Sequence, residues 1–366
     1  AALIRGTRKR TFQKLNDELD KVGMSFGIGA GRETISFSGK CLTEDFDRWL
    51  DLAADVLLHP TFPRAEVEKL RHEILADLKE AEDDTGHVAR RDFLELCYPH
   101  GHPYYHFIDG TPASVKRLAI SQLREFHARF FRPDLTTIVI VGDLRASAAI
   151  EKIARAFGKW QARGAPPPYN IPDAPRLVNI SRRDKTLAGK TQSDLYIGYP
   201  GIRRNNPDYY ALVVGDLIFG RIGLSGRLGA KVRDEMGLAY YVYSGVEANL
   251  GAGPWTIHAG INPKNIQRAI DAIVAETKRL REEQVTQDEL NEAKDFMIGS
   301  LAIGLETNDG VAGTLANIEL HQLGLDYLQR YPQIIRSVSA EQIRAATQKY
   351  AQIDSYALAI AGPGSS

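Results

Sequence analysis

An internal repeat constrains the fold of this chain more than any other feature of its sequence. The segment 122–142 aligns without a gap with the segment 342–362, an offset of 220 residues. Two further segments agree in the same order at offsets of 220 and 223, and a short loop insertion accounts for the difference. Matching order and spacing across separate segments favours a duplicated domain over chance similarity between amphipathic helices. The aligned pairs include Gln122 with Gln342, Arg124 with Arg344, Phe130 with Tyr350, Gly142 with Gly362, Phe46 with Ile266, Arg48 with Arg268 and Glu66 with Glu289.

A proline-rich stretch separates the two copies. Residues 164–175, Gly-Ala-Pro-Pro-Pro-Tyr-Asn-Ile-Pro-Asp-Ala-Pro, hold too many prolines for a helix or a paired strand and are typical of a semi-rigid spacer. A chain of 366 residues is also longer than one ordinary core requires. The sequence therefore predicts a first domain at 1–163, a linker at 164–175 and a second, homologous domain at 176–366.

Each copy contains hydrophobic segments of two different periods. A period of two residues predicts strands, and a helical period predicts the paired helices between them. Strands that return past helix pairs indicate the α+β class, with a mostly antiparallel sheet and helices packed on one face. The predicted strands are residues 34–39, 136–141, 195–199 and 240–245, and the predicted helices are residues 45–58, 63–83, 264–281 and 286–301.

The charges balance, with 46 Lys and Arg residues against 46 Asp and Glu residues. Such a chain has no net field to attract nucleic acid or an anionic membrane, so we expect neither as a partner. No apolar stretch approaches the roughly 18 residues of a membrane span, and we expect a soluble protein of the cytoplasm or the periplasm. Cys41 and Cys97 are the only cysteines, which excludes a disulfide framework and a four-thiolate metal site. Because the chain opens as though within an element, we expect the natural protein to continue upstream.

Histidines would be the first candidates for metal or acid/base chemistry. His100, His102 and His106 cluster in a run rich in turn residues and aromatics, whose spacing does not aim three imidazoles at one point, so we expect a packed turn. His72 and Glu73 begin a His-Glu-x-x-His pattern, but position 76 is Ala and the second ligand is missing. We expect the isolated histidines to be structural; they are His59, His87, His127, His258 and His321.

Two other segments imitate functional motifs. The glycine-rich run 220–229 resembles a phosphate-binding loop but lacks Gly-Lys-Ser/Thr and the acidic residue of a dinucleotide site, which favours a flexible loop beside an extended peptide. The acidic residues at the end of the second predicted helix could form a cation site, but a solvated helix face is the better interpretation. They are Glu80, Glu82, Asp83 and Asp84.

Arg233 and Tyr240 stand seven positions apart in Val-Arg-Asp-Glu-Met-Gly-Leu-Ala-Tyr. The pattern predicts the end of a helix, a stop at Gly237 and a strand, so both side chains can converge at one corner. A guanidinium and a phenol there would suit a peptide carbonyl or an oxyanion. Taken alone, however, the pair is better interpreted as a surface arginine and a core tyrosine.

Several landmarks, in order, cover nearly the whole chain and resemble the metallopeptidases of the pitrilysin, insulin-degrading and mitochondrial-processing family, which carry an inverted zinc motif. Each landmark is weak alone, and together they make the resemblance strong. They are Leu-Ile-Arg-Gly-Thr-Arg-Lys-Arg-Thr at 3–11, Glu-Asp-Asp at 82–84, His-Pro-Tyr at 102–104, Phe-Arg-Pro-Asp at 131–134, Val-Ile-Val-Gly-Asp at 139–143, and the glycine-rich stretch with its Arg/Tyr pair at 223–240.

The zinc motif itself is where the chain departs from that family. The resemblance places the family's second zinc-binding His at Ala1, with the first His and the catalytic Glu upstream of it. The third ligand, a Glu, would fall at residues 76–78, where the only carboxylate is Asp77. The resemblance therefore implies the half-clamshell of the family that binds no metal and holds no cofactor, with zinc in a homologous partner half.

What the resemblance implies for function is a non-catalytic half or subunit of a zinc metallopeptidase, inactive alone and forming a heterodimer. Its zinc-bearing partner would cleave a peptide or an unfolded protein that this half binds and positions. Arg233 and Tyr240 would hold the substrate carbonyl, and Gly223, Ser225 and Gly226 would border the groove. The alternative is a catalytically silent peptide-binding or scaffold subunit.

Overall fold

The structure is a computed structural model that describes residues 1–221 and 226–363. Predicted helices and strands appear within a few residues of their expected positions, with one exception given below. The helices are α1 (Phe12–Asp20), α2 (Phe46–Leu58), α3 (Arg64–Ala81), α4 (Thr85–Cys97), α5 (Pro112–Arg117), α6 (Ile120–Phe130), α7 (Ala146–Phe157), α8 (Tyr209–Asp216), α9 (Ile266–Glu282), α10 (Gln287–Gly304), α11 (Asn308–Leu320), α12 (Tyr327–Ser337) and α13 (Ala340–Tyr350). The strands are β1 (Ser25–Ala30), β2 (Ile35–Lys40), β3 (Ser181–Thr186), β4 (Ser193–Pro200), β5 (Ala239–Val246), β6 (Pro254–Ile261) and β7 (Ala357–Gly362).

The chain forms two compact units, and each unit is assembled from separate segments. The chain passes to the second unit at Ile171, within the proline-rich stretch, but the earlier segment Glu80–Phe107 also belongs to that unit. The first unit comprises Ala1–Lys79, Ile108–Asn170 and Thr307–Ala316, and the second comprises Glu80–Phe107, Ile171–Glu306 and Asn317–Ser366.

The first unit is built around an antiparallel pair, β1 and β2, in which Ser25 lies opposite Lys40. Phe26 on β1 meets Phe37 on β2 edge to face, with ring centroids 4.3 Å apart. Trp49 of α2 packs on both rings and donates its indole N–H to the Ser25 carbonyl oxygen at 2.9 Å. These aromatic contacts fix α2 against the strand pair.

The prediction of a buried strand at 136–141 is wrong. In the described structure this segment is not a strand, and Ile138 is 44% exposed. Its counterpart in the repeat, β7, is buried because it lies between β3 and β4. In the first unit the described strands β1 and β2 pair with each other, so the apolar run has no neighbour to complete a ladder.

In the second unit, five of the described strands form one sheet in the order β3-β7-β4-β6-β5. The β3–β7 pair is parallel and the remaining pairs are antiparallel, which confirms the predicted mixed α and β class. One face of the sheet packs on α8, α9, α10 and α13 through alternate apolar residues such as Ile197 and Ile257. The sequence predicts helices on one face of the sheet only. The structure adds α4 on the opposite face, where its Phe93 packs with Ala357.

Helix α10 begins as the sequence predicts. The Thr286 hydroxyl accepts a hydrogen bond from the Glu289 amide at 3.2 Å, and a Glu289 carboxylate oxygen accepts one from the Thr286 amide at 2.8 Å. This capping box satisfies amide groups that the first helical turn leaves unpaired. Within the described ranges, no helix is long and apolar enough to cross a membrane.

Candidate functional site

The predicted corner between helix and strand is present in the second unit. A wide helical segment, Gly229–Glu235, ends at Gly237, whose backbone has a φ of 61°. The Gly237 amide donates to the Arg233 carbonyl oxygen at 3.0 Å, and the chain then enters β5. Glycine suits this position because a side chain disfavours positive φ, and π-helical turns of this kind are frequent at functional sites.

Arg233 lies in the last turn of that segment and is engaged by its neighbour. Its Nε and Nη2 donate to the two carboxylate oxygens of Asp234 at 2.8 and 3.0 Å. The hydrogen bond to Asp234 raises the pKa of Arg233, and the same contact lowers the pKa of Asp234. Arg233 therefore stays charged; Asp234 occupies its Nε–Nη2 edge, and Nη1 takes no part in this contact.

Tyr240 occupies an irregularity at the start of β5. Ala239 lies opposite Ile261 and Tyr241 lies opposite Gly260, so Tyr240 is the extra residue of a β-bulge. Its side chain is 62% exposed, and in the described part of the chain no hydrogen bond, ion pair or ring contact involves it. The bulge thus directs the phenol of Tyr240 towards solvent, seven residues after Arg233.

The predicted glycine border is described only in part. Gly223 and Ser225 lie outside the described residues. Gly226 is buried, and a Cβ on it would lie 2.9 Å from the Cα of Gly220. This close approach of two backbones explains why position 226 holds glycine.

Strand β5 is the last strand of its sheet. It pairs with β6 on one side, and no described strand pairs with its other side. Its edge therefore presents backbone amide and carbonyl groups next to Tyr240, an arrangement that can accept an extended chain as an additional strand.

Sequence reasoning missed a polar cluster on the face of the sheet that carries α4. Asp194 on β4 is 3% exposed and accepts hydrogen bonds from Nε2 of His258 at 2.9 Å and from the Thr85 hydroxyl at 2.5 Å. The Tyr241 hydroxyl also donates to Asp194, and the Tyr243 hydroxyl lies 2.6 Å from Nδ1 of His258. From the sequence, His258 is predicted to be an isolated, structural histidine. The two-residue alternation of β4, β5 and β6 was the available signal, since it places these positions on one face.

Electrostatics fix the protonation states of Asp194 and Tyr241 in this cluster. Burial alone would raise the pKa of Asp194, but the donors from His258, Thr85 and Tyr241 outweigh it and bring that pKa below the ordinary value. Burial, followed by the bond to Asp194, raises the pKa of Tyr241. Asp194 is thus ionised while the tyrosine stays neutral.

Several of the residues singled out as metal candidates have other partners. Both ring nitrogens of His102 are used, because Nε2 lies 2.8 Å from the Pro172 carbonyl oxygen and Nδ1 accepts from the Tyr104 amide at 3.0 Å. Glu73 pairs with Arg5. Among the acidic residues that follow α3, Asp83 pairs with Lys190 at 2.8 Å, Glu82 pairs with Arg91, and Asp84 caps α4.

The zinc positions implied by the sequence resemblance do not fit a zinc ion. Ala1 has no ligating side chain, and Asp77 is exposed on α3. Across residues 1–221 and 226–363, no group of three or more His, Cys, Asp or Glu side chains is arranged to hold a metal.

Comparison with known families gives two matches that together span most of the chain. Residues 2–102 match the model described as insulinase (peptidase family M16), and residues 117–297 match the model described as the peptidase M16 inactive domain. The chain belongs to peptidase family M16, the insulinase family.

Individual relatives agree with this assignment. The chain is 24% identical over 360 residues to the uncharacterized zinc protease YmxG of Bacillus subtilis, covering 98% of this chain and 86% of that protein. It is 21% identical over 320 residues to the beta subunit of the mitochondrial-processing peptidase of Saccharomyces cerevisiae, covering 84% and 69%. The crystal structure of a peptidase M16 inactive domain from Pseudomonas fluorescens superposes with a TM-score of 0.91 and 26% identity, covering 100% and 87%.

Proposed function

We propose that this protein is the half or subunit of a zinc metallopeptidase that binds no zinc, and that it positions a peptide or unfolded-protein substrate for cleavage by a homologous, zinc-bearing partner. In this proposal the two homologous domains inferred from the repeat, at 1–163 and 176–366, form one half of a two-part enzyme. The observation that carries the proposal is the exposed Tyr240, bulged out of an edge strand directly after the Arg233 corner.

The edge of β5 supplies the main-chain part of substrate binding. A peptide that adds to this edge gains hydrogen bonds that do not depend on its sequence, as a subunit that handles varied substrates requires. Tyr240 then lies at the end of the added strand, with its hydroxyl available to donate to a substrate carbonyl oxygen. Arg233 adds a charged donor to that oxygen, through Nη1 or in exchange for Asp234.

These two donors suit the carbonyl next to the bond that is cleaved. Negative charge develops on that oxygen during hydrolysis, and fixed donors stabilise it without reorganisation. The residues of this chain therefore bind and orient, and the metal chemistry belongs to the partner half. Relatives whose names describe them as zinc proteases, and one named as a peptidase subunit, support a partnership of this kind.

A scaffold or peptide-holding subunit without any part in catalysis is the second candidate. The ion pair between Arg233 and Asp234 favours this candidate, because a guanidinium already paired on the surface can be retained without a role in substrate binding. The two candidates differ in whether the donors of this chain change the rate of cleavage.

The test is peptide hydrolysis by this chain alone and mixed with the zinc-bearing M16 protein of the same organism. We expect cleavage from the mixture and none from the chain alone. In the mixture, Arg233→Ala and Tyr240→Phe should each lower kcat/KM roughly 100-fold, since this is the usual cost of losing one oxyanion donor. Arg182→Ala is a matched control, because Arg182 binds Asp184 in the same two-pronged way, at 2.9 and 2.8 Å, on the opposite edge strand.

Tyr169→Phe is the corresponding control for the phenol, because Tyr169 is 59% exposed and lies outside the second unit. If the mixture cleaves peptides and neither site variant lowers kcat/KM by more than about twofold, the scaffold role is correct and the positioning role is wrong. Stoichiometric zinc in the purified chain alone, measured by plasma mass spectrometry, would contradict both roles.

A further inference from the structure

Two tyrosines on β5 are fixed to the sheet beside the proposed peptide edge. Tyr241 and Tyr243 project from the same face, because residues two apart on a strand share a face. Their rings are roughly parallel, at an angle of 28° and a centroid distance of 6.0 Å. Each hydroxyl is engaged within the sheet, Tyr241 by Asp194 and Tyr243 by His258.

The Tyr241 ring lies flat across the neighbouring strand. Its hydroxyl reaches Asp194 on β4, so the ring must cross β6, and a Cβ on Gly260 would lie 2.5 Å from a carbon of that ring. Glycine at position 260 therefore makes room for the aromatic ring. A ring tethered at its hydroxyl and resting on the backbone has little freedom to rotate.

Tyr243 is held in a similar way by a relay of hydrogen bonds. His258 directs Nε2 towards Asp194, and its Nδ1 lies 2.6 Å from the Tyr243 hydroxyl, so both ring nitrogens are engaged. His258 is itself held in place, since Tyr196 stacks on it at a centroid distance of 4.1 Å. Tyr243 nevertheless remains 45% exposed. Its hydroxyl is engaged by His258, so Tyr243 presents mainly its ring to its surroundings.

We propose that Tyr241 and Tyr243 form an aromatic floor that binds a large apolar or aromatic side chain of the peptide lying along β5, and so select the substrate residue at that position. This inference rests on the proposed function, because it requires a peptide added to the β5 edge. In such a pairing, the side chain opposite Tyr243 projects from the same face and lies next to the ring. Preorganised rings bind without losing rotamer freedom, which favours affinity.

The surroundings favour an apolar occupant over a cationic one. The carboxylates near the floor are already engaged. Glu247 pairs with Arg90 of α4 at 2.8 Å, and the buried Asp194 accepts hydrogen bonds from His258, Thr85 and Tyr241. A lysine or arginine of the peptide would have to compete with these partners, whereas an aliphatic or aromatic side chain gains directly from apolar contact with the rings.

The test is an anisotropy titration of the complete chain with short fluorescein-labelled peptides of Ser, Thr and Gln that carry one guest residue at successive positions. At one position, Phe or Leu as the guest should bind roughly tenfold more tightly than Ala, and Lys should bind no better than Ala. Tyr243→Ala should reduce the preference for Phe to less than twofold while the Ala peptide keeps its Kd. Tyr243→Phe keeps the ring and should retain most of the preference, and Tyr169→Ala is the control for removing an exposed tyrosine.

The outcomes separate the two proposals. If every peptide fails to bind the wild-type chain, the proposed peptide-binding function fails and this inference fails with it. If peptides bind and Tyr243→Ala, shown to be folded by its thermal transition, keeps the full preference for Phe, only the aromatic floor is wrong. Tightest binding of the Lys peptide would also overturn the floor, because it would show recognition of positive charge.

Discussion

The indole N–H of Trp255 donates to Oδ1 of Asp216 at 2.7 Å, inside the core of the second unit. Asp216 is completely buried, and in the described structure its Oδ2 has no hydrogen-bond partner. Burial raises the pKa of this carboxyl from 3.8 to about 6. The interactions that favour the carboxylate, the hydrogen bond from Trp255 among them, therefore do not offset the cost of burying it.

Stability should depend on the protonation of Asp216. The folded state binds the proton more tightly than the unfolded state, so stability is highest below pH 3.8 for this group and falls as the pH rises to about 6. The loss should be on the order of 3 kcal/mol at pH 7. Urea unfolding at pH 4 and pH 7 measures it, and Asp216→Asn should remove this part of the pH dependence. An unchanged slope in the variant would show that Asp216 titrates normally.

Asp208 provides the opposite case within the same unit. The hydrogen bond from Lys349, at 2.6 Å, lowers the pKa of Asp208, so its stabilising contribution is present above pH 3.8 and is lost as the pH falls. We expect Asp208→Asn to destabilise the protein at pH 7 and to have less effect near pH 3. The same unfolding series in urea distinguishes the two signs.

Arg227 and Glu289 should form a stabilising pair near the described end of the glycine-rich run. Nε and Nη2 of Arg227 donate to the two oxygens of Glu289 at 2.7 and 2.8 Å, which lowers the pKa of Glu289 to about 2. Glu289→Gln should cost roughly 2 kcal/mol at pH 7, because a nearly buried guanidinium loses its partner. This difference from wild type should shrink between pH 4.5 and 2, where wild type also loses the charge. Glu292→Gln, at an exposed site on α10, is the control.

Gly260→Ala should destabilise the second unit. The added methyl group would overlap the Tyr241 ring at 2.5 Å and force it off the sheet, at a cost of roughly 2 kcal/mol. Gly245→Ala on β5 is the matched control, because a Cβ there meets nothing within 4 Å. Thermal unfolding of both variants gives the comparison. Equal transitions would show that Tyr241 moves aside freely.

Gly237→Ala should disturb the corner that orders Arg233 and Tyr240. A Cβ at position 237 meets no atom within 4 Å, so the cost arises only from the φ of 61° and should be about 1 kcal/mol. Gly237→Asn should cost less, because asparagine tolerates this conformation better. Chemical denaturation measures both variants. A larger loss of peptide binding than of stability would indicate that the corner itself positions the ligand.

The local signals in the sequence predicted most of the fold. Thr286 and Glu289 gave the start of α10 because a capping box depends on residues three apart. The prediction of a strand at 136–141 failed because an apolar pattern shows only that a segment is able to pair. Whether it does pair depends on which strands lie beside it. Hydrophobic period is a property of one segment and register is a property of two.

The same difference between local and long-range signals applies to the candidate site. Arg233, Gly237 and Tyr240 could be placed at one corner from sequence because they lie within eight residues. Asp194 and His258 are 64 positions apart, and only the alignment of β4 with β6 brings them to 2.9 Å. The bulge at Tyr240 was also invisible in the sequence, because it appears only when β5 is counted against β6.

Neither compact unit is one continuous stretch of chain, because the backbone enters the second unit at Glu80, returns to the first at Ile108 and leaves it again at Ile171. Any single crossover in the gene therefore divides at least one unit between two parents. A hybrid made by one exchange with a relative would carry a mixed core. Laboratory chimeras that take each unit whole from one parent therefore need several junctions rather than one.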